Sequence, residues 1–172
     1  MKTKYYVTFA IIFSISGLLL TFKWLTYPDF DSYEREITKQ YPNETAFSPE
    51  DYDSLCKLEF QKGITFPKAK PSYGLLHFDK FLKPNIRLTN RQMIEILESL
   101  NDSATYTWGE LGTPYFDRFI TFHDRKGNCV GLTKIDLGGQ SYSTPYIAIM
   151  KWGLIKAENY RINELITEIE KN

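Results

Sequence analysis

Tyr115–Leu137 reads YFDRFITFHDRKGNCVGLTKIDL, and the interpretation of this stretch decides the fold. Phe116, Arg118, Ile120 and Phe122 alternate with Asp117, Phe119, Thr121 and His123, the period-2 pattern of a strand. Asp124-Arg125-Lys126-Gly127 supplies turn chemistry, and Cys129–Leu137 is a second extended run. A two-residue primed turn would need positive φ at Arg125 and Lys126, which a Cβ resists. A type I turn with Gly127 in the left-handed region instead gives a three-residue loop with a bulge. That register pairs Asp124 with Asn128, His123 with Cys129, Phe122 with Val130 and Ile120 with Leu132. One face then carries Phe116, Ile120, Phe122, Val130 and Leu132 and requires a covering layer. The other carries Asp117, Thr121, His123, Cys129 and Thr133, with Phe119 and Ile135 among them.

Helical signals flank the hairpin. Asp31 to Tyr41 fits a short helix capped by Asp31, with Tyr33, Ile37 and Tyr41 on one side. Ser48-Pro49-Glu50-Asp51 opens a second helix, running to about Phe60, with Tyr52, Leu55 and Cys56 on one face. Tyr73–Phe81 is strand-like. Thr89-Asn90-Arg91-Gln92 is a capping box before an amphipathic helix. After the hairpin, Gly138–Pro145 reads as a long turn, Tyr146–Trp152 as a third strand, and the chain from about Lys156 as a last helix. Helices before and after an antiparallel sheet predict an α+β fold: a small sheet built on a central hairpin, with flanking helices and one transmembrane helix ahead of it.

The 172 residues, 42% apolar and 24% charged, are those of a globular protein with room for one domain and an appendage. Equal numbers of basic and acidic residues, 21 of each, argue against a nucleic-acid binder. Tyr5–Phe22 is eighteen residues without a charge, about the span of a bilayer core at ~1.5 Å per residue. A cleaved signal peptide competes with that reading, but Leu18–Trp24 offers no small-x-small site. The expectation is therefore an N-terminal anchor over residues 1–27 with a short cytoplasmic tail, Trp24 and Tyr27 at the outer interface, and an extracytoplasmic α+β domain over 28–172. Lys2 and Lys4 before the span are nearly balanced by Lys23, Arg35 and Lys39 after it, which leaves a cytoplasm-facing domain open. Removing Lys2, Lys4 and Lys23 leaves 18 basic against 21 acidic side chains, a net charge of −3, so attraction to anionic lipid is not the domain's role.

Candidate chemistry is sparse. His123 and Cys129, cross-strand neighbours in this register, are the one arrangement in which an imidazole could hold a thiolate. They form the catalytic alternative, an envelope hydrolase using a Cys/His pair. Cys56 and Cys129 are the only cysteines and either bridge or stay free. His77 and His123 stand far apart in sequence with no metal-binding spacing around them, and no cofactor motif is present. Asp136 falls on the side of Arg118, which suits a structural pair. The preferred site lies at the open end of the hairpin, where the loops around Trp108-Gly109-Glu110 and Gly138-Gly139-Gln140 meet. There Trp108, Glu110, Tyr115, Gln140, Tyr142 and Tyr146 would form a recognition surface, with glycines letting a ligand approach the backbone.

Trp108-Gly109-Glu110, Gly112–Asp117, Asp124-Arg125-Lys126-Gly127 and Lys151-Trp152-Gly153 together make the chain from roughly Tyr73 onward similar to small uncharacterised bacterial envelope proteins. The resemblance implies a bacterial, extracytoplasmic setting and lends no catalytic residue. The expected function is non-catalytic binding by a single-pass membrane protein. Its partner would be another envelope protein, a toxin it neutralises or a cell-wall component.

Overall fold

The computed structural model describes residues 9, 11–21, 28–42, 49–79, 83–109, 112–136, 138–156 and 160–171. Among them are five helices: α1 (11–21), α2 (Phe30–Gln40), α3 (Pro49–Gln61), α4 (Asn90–Leu100) and α5 (Arg161–Lys171). The strands are β1 (Tyr73–Phe78), β2 (Ile86–Arg87), β3 (Tyr106–Thr107), β4 (Arg118–His123), β5 (Cys129–Asp136), β6 (Gln140–Thr144) and β7 (Leu154–Ile155). They form one antiparallel sheet in the order β2-β1-β4-β5-β6-β7-β3, so the fold is α+β with the hairpin at its centre.

The hairpin tip matches its sequence. Asp124 N–H donates to the Asn128 carbonyl at 3.0 Å, Gly127 sits at φ +88°, and His123 pairs with Cys129. One residue further the expected register fails. Phe122 pairs with Gly131, Thr121 with Leu132 and Ile120 with Thr133, because Val130 is an extra residue bulged out of β5. The slip carries Leu132 to the opposite face from Ile120 and Phe122. Gly131 shows why this register is favourable. It comes under Phe66-Pro67, where a Cβ would lie 2.8 Å from the Pro67 Cβ and 3.1 Å from the Phe66 ring. Phe66 thereby packs edge-on to Phe122, with ring centres 5.6 Å apart.

The sheet is consequently buried on both sides. One face, with Leu76, Phe78, Ile120, Phe122 and Ile135, packs against Ile96 and Leu100 of α4 and Ile162, Ile166 and Ile169 of α5. The other holds Leu132 against Phe30 and Ile37 of α2, flanked by Tyr33, Phe119 and Cys129. Arg118, buried on the α5 side, is paired with Asp117 and with Glu170 of α5. The expected Arg118–Asp136 pair does not form, since Arg118 faces Ile135 across the ladder and Asp136 accepts from Tyr115 and Gly138 N–H groups instead.

Four further expectations are corrected. The Asp29 side chain, not Asp31, caps α2 by accepting from Ser32 N–H at 3.0 Å. The polar run read as a turn is strand β6: Gly139 at φ +104° allows a tight reversal, and Ser143 is satisfied inside the sheet by Thr133 at 3.0 Å. The stretch expected as the third strand is a short 3-10 turn at Ala148–Met150 followed by a reversal into β7. The last helix begins at Arg161 rather than near Lys156. The capping box is as read, with Gln92 N–H donating to Thr89 and Thr89 N–H to Gln92. The Ser48 cap, Trp24, Tyr27 and the end of the Tyr73–Phe81 run lie outside the described residues.

Among the described residues no helix is long and apolar enough to cross a membrane. The expected span Tyr5–Phe22 reaches beyond them at both ends. Its described part, α1, is helical with all of residues 11–21 exposed, Phe13, Leu18 and Leu20 among them.

Candidate functional site

The residues expected to form one recognition surface fall in three places. Trp108 leaves β3 and packs edge-to-face on Tyr52 of α3, with ring centres 5.0 Å apart, and on Trp152 at 4.8 Å. Tyr146 meets Tyr52 from the other side at 6.1 Å. Gln140 begins β6 beside Gly112, and Tyr115, 71% exposed, reaches the nearby Asp136 through its backbone N–H. Tyr142 lies across from Lys134 on the α2 side, where the Lys134 ammonium donates to Glu34 at 2.6 Å. Glu110 lies outside the described residues. Trp108 and Tyr146 are thus brought together, through a tyrosine the sequence reading placed only in a helix face, while Tyr115, Gln140 and Tyr142 stand elsewhere.

The turn beside these rings is unusual. Gly153 N–H donates to the Met150 carbonyl at 2.7 Å, and Lys151, at φ 51° and ψ −121°, occupies the first central position of a type II′ turn. Glycine is the residue at ease there, and a side chain costs on the order of 1–2 kcal/mol. Neighbours hold it in place. The Lys151 ammonium donates to the Tyr106 carbonyl at 2.9 Å and lies 6.0 Å from the centre of the Trp108 ring, and its own carbonyl accepts from the Tyr146 hydroxyl. Gly153, at φ +83°, lies so close to β6 that a Cβ would stand 1.9 Å from the Ser141 carbonyl oxygen. Behind the turn, Tyr52, Cys56 and Glu59 follow one another along α3. The buried Glu59 carboxylate accepts from Ala148 N–H at 2.7 Å. Burial, then the Glu59 charge, raises the Cys56 thiol above its ordinary range, and burial with the Tyr52 hydrogen bond raises the Tyr146 hydroxyl. The result is a rigid aromatic ledge with Trp152 46% exposed at its lip. Only the Lys-Trp-Gly order, a cation and a ring ahead of a glycine, hinted at it in the sequence.

A second group lies beneath α2. His77 and His123, distant in sequence, both reach the Thr121 hydroxyl through Nε2, at 2.9 Å each, because β1 and β4 pair side by side. They are 3% and 5% exposed. Burial lowers His77 to about 4, against an opposing contact from Asn85, and the facing His123 lowers it further. Burial also lowers His123, with the Gly127 carbonyl and Asp124 opposing. Among the described residues no three His, Cys, Asp or Glu side chains converge as metal ligands do.

Comparison with known proteins gives no match: no family model, curated protein or solved structure aligns with the chain. The chemistry must be read from the residues themselves.

Cys129 and His123 are paired across the hairpin, yet the imidazole does not serve the thiol. His123 Nδ1 is 3.2 Å from the Gly127 carbonyl and Nε2 is on Thr121, while the Cys129 thiol donates to the Gly131 carbonyl. Burial pushes Cys129 up to about 11, the direction opposite to that of an activated thiolate. Both cysteines are free thiols. Two open depressions, one along α2 between Asp31 and Lys39 and one along α5 between Asn163 and Lys171, are each lined by a single helix. Neither converges groups from several elements as a ligand pocket does.

Proposed function

We propose that the protein is a membrane-anchored, extracytoplasmic binding domain of the bacterial envelope, and that it engages its partner through the ledge of Tyr52, Trp108 and Trp152. One observation carries the reading. Two tryptophans stand edge-to-face at a surface turn whose Lys151 is held in a backbone conformation costly for a side chain. Strain of this kind persists where the surroundings over-determine it, and it concentrates at recognition sites. Rigid tryptophan and tyrosine side chains supply large contact area at little entropic cost.

The anchor is supported by α1. Its apolar side chains lie outside both cores, and two of its hydroxyls are turned back on the helix, Ser16 to the Ile12 carbonyl at 2.9 Å and Thr21 to the Gly17 carbonyl at 2.8 Å. Such back-bonding satisfies both of these hydroxyls without water, as lipid requires. The partner is a second envelope protein, a toxin or a cell-wall component. The alternative Cys129–His123 hydrolase has no comparable observation behind it.

The test uses the full chain in its own membrane, with a topology reporter fused at Asn172 and a photo-crosslinking residue at position 152 or, as control, at the exposed hairpin tip at 125. The reading requires an externally active reporter and a discrete crosslinked product from 152 that is missing from 125. An internal reporter, or identical products from both positions, refutes it.

A further inference from the structure

The polar group beneath α2 has an internal logic of its own. His123 Nδ1 faces the Gly127 carbonyl, which only accepts, so the proton of the neutral ring sits on Nδ1 and Nε2 is a bare acceptor. The Thr121 hydroxyl must then donate to His123 Nε2, and its oxygen must accept from Nε2–H of His77. One ordered chain results, from the His77 ring through Thr121 to His123 and the hairpin carbonyl, with both imidazoles neutral. A further proton has no good place in it. On His123 it would go to Nε2 and oppose the Thr121 hydroxyl hydrogen. On His77 it would go to Nδ1, where the side chain of the exposed Asn85 favours the proton but does not offset the cost of burying the charge.

The lid over this chain is α2. Phe30 sets its ring edge on His77, centres 5.3 Å apart, and Tyr33 meets His123 edge-on at 6.0 Å. Phe30, Ile37 and Leu132 form a core separate from the one under α4 and α5, so α2 can lift while the larger core stays intact. The ionisable groups around the chain do not offset a buried positive charge. From α2 come Tyr33 and, at the surface, Glu36. From β1 comes Tyr73, stacked on His123 at 4.9 Å, and from β2 comes Arg87 over the Tyr73 ring, itself a cation. From β5 comes the protonated Cys129 thiol. From the hairpin turn comes Asp124, whose carboxylate is already occupied by Lys126 N–H, Asn128 N–H and the Asn128 side chain.

We propose that His77, Thr121 and His123 form an acid-released latch, which holds α2 on the sheet at neutral pH and lets it lift when the imidazoles take up protons. Since α2 is the described helix that follows α1 in the chain, its release frees the sheet from the segment leading to the apolar helix. It also uncovers Leu132, Phe119 and the Cys129 thiol as a new apolar surface. The two histidines are the only ones in the chain, which makes the device directly readable.

The test is made on the full chain in detergent micelles. At pH 7.5, imidazole nitrogen–proton spectra report His123 as the Nδ1–H form and His77 as the Nε2–H form, each with a midpoint below the ordinary value of about 6.5. Hydrogen exchange, corrected for intrinsic rates, then compares α2 with α4. Between pH 7.5 and 5 the α2 amides lose protection by about 30-fold for one imidazole freed, while α4 is unchanged. The double variant His77→Gln/His123→Gln loses that acceleration. Mixed tautomers with ordinary midpoints, or equal protection of α2 at both pH values in the unaltered chain, overturn the latch whether or not the variant folds.

Discussion

The bulge at Val130 makes a claim about energetics that a double-mutant cycle can decide. Leu132 is wholly buried and belongs to the α2 side of the sheet with Ile37, whereas without the bulge it would share the α4 side with Ile96. Truncating a buried leucine or isoleucine to alanine costs roughly 3 kcal/mol, the transfer of the lost methyl groups plus the residual cavity. Leu132→Ala should therefore lower the urea midpoint by roughly 1.5 M for a slope near 2 kcal/mol/M. The informative quantity is the coupling. Leu132→Ala with Ile37→Ala share one cavity, so their effects should depart from additivity by about 1 kcal/mol or more. Leu132→Ala with Ile96→Ala lie on opposite sides of the sheet and should add within about 0.5 kcal/mol. Each single and double variant is unfolded in urea in the same micelles, with far-ultraviolet dichroism and tryptophan emission required to coincide. Coupling to Ile96 without coupling to Ile37 would refute the bulged register, and with it the lid over the histidines.

Three other outcomes follow from separate features. Because His77 is held near 4 in the folded protein against about 6.5 unfolded, its contribution is complete above the unfolded value and is lost as pH falls toward 4; His77 should account for about 2.5 kcal/mol of the stability lost between pH 7.5 and pH 4.5 in denaturant titration, and His77→Gln should shrink the loss by about that amount while the part due to His123 stays. Gly153→Ala forces a Cβ onto the Ser141 carbonyl at positive φ and should cost about 3 kcal/mol by urea unfolding, whereas Gly127→Ala, also at positive φ but with no neighbour nearer than 3.9 Å, should cost about 1 kcal/mol. Glu170→Gln removes one of the two carboxylates from the buried Arg118 and should destabilise the docking of α5 by about 3 kcal/mol, measured as faster amide exchange throughout that helix.

What could be read from the chain was what its local chemistry dictates. Thr89 and Gln92 satisfy each other's backbone N–H groups within one turn, so the start of α4 follows from four residues. Gly127 at the hairpin tip accepts a positive φ, and the pairing of Asp124 with Asn128 follows from it. The alternation through β4 gives a strand with one core face and one mixed face, and helices on either side of it give the α+β class. Aromatic residues and glycines near the open end drew attention to Trp108 and Tyr146, which do share a ledge.

The remainder depended on neighbours that no window of sequence contains. Gly131 looks like any strand glycine until Phe66-Pro67, more than sixty positions earlier, lies on it; that packing goes with the bulge at Val130 and moves Leu132 to the other face. Gln140–Thr144 is too polar to read as a buried strand, and becomes one because Thr133 supplies a partner to Ser143 across the ladder. His77 and His123 are separated by forty-five residues and meet at one hydroxyl only because β1 pairs with β4. Lys151 gives no sign in sequence that its φ is positive, since Tyr106, Tyr146 and the contact of Gly153 with Ser141 impose it from outside. The sequence by itself thus determined the capping box of α4, the hairpin turn and the fold class, all set by interactions within a few residues. Tertiary structure alone decided the register beyond Val130, the two-histidine chain and the ledge, because each is made by side chains from helices, strands or loops whose adjacency arises only when the sheet and its covering helices are assembled.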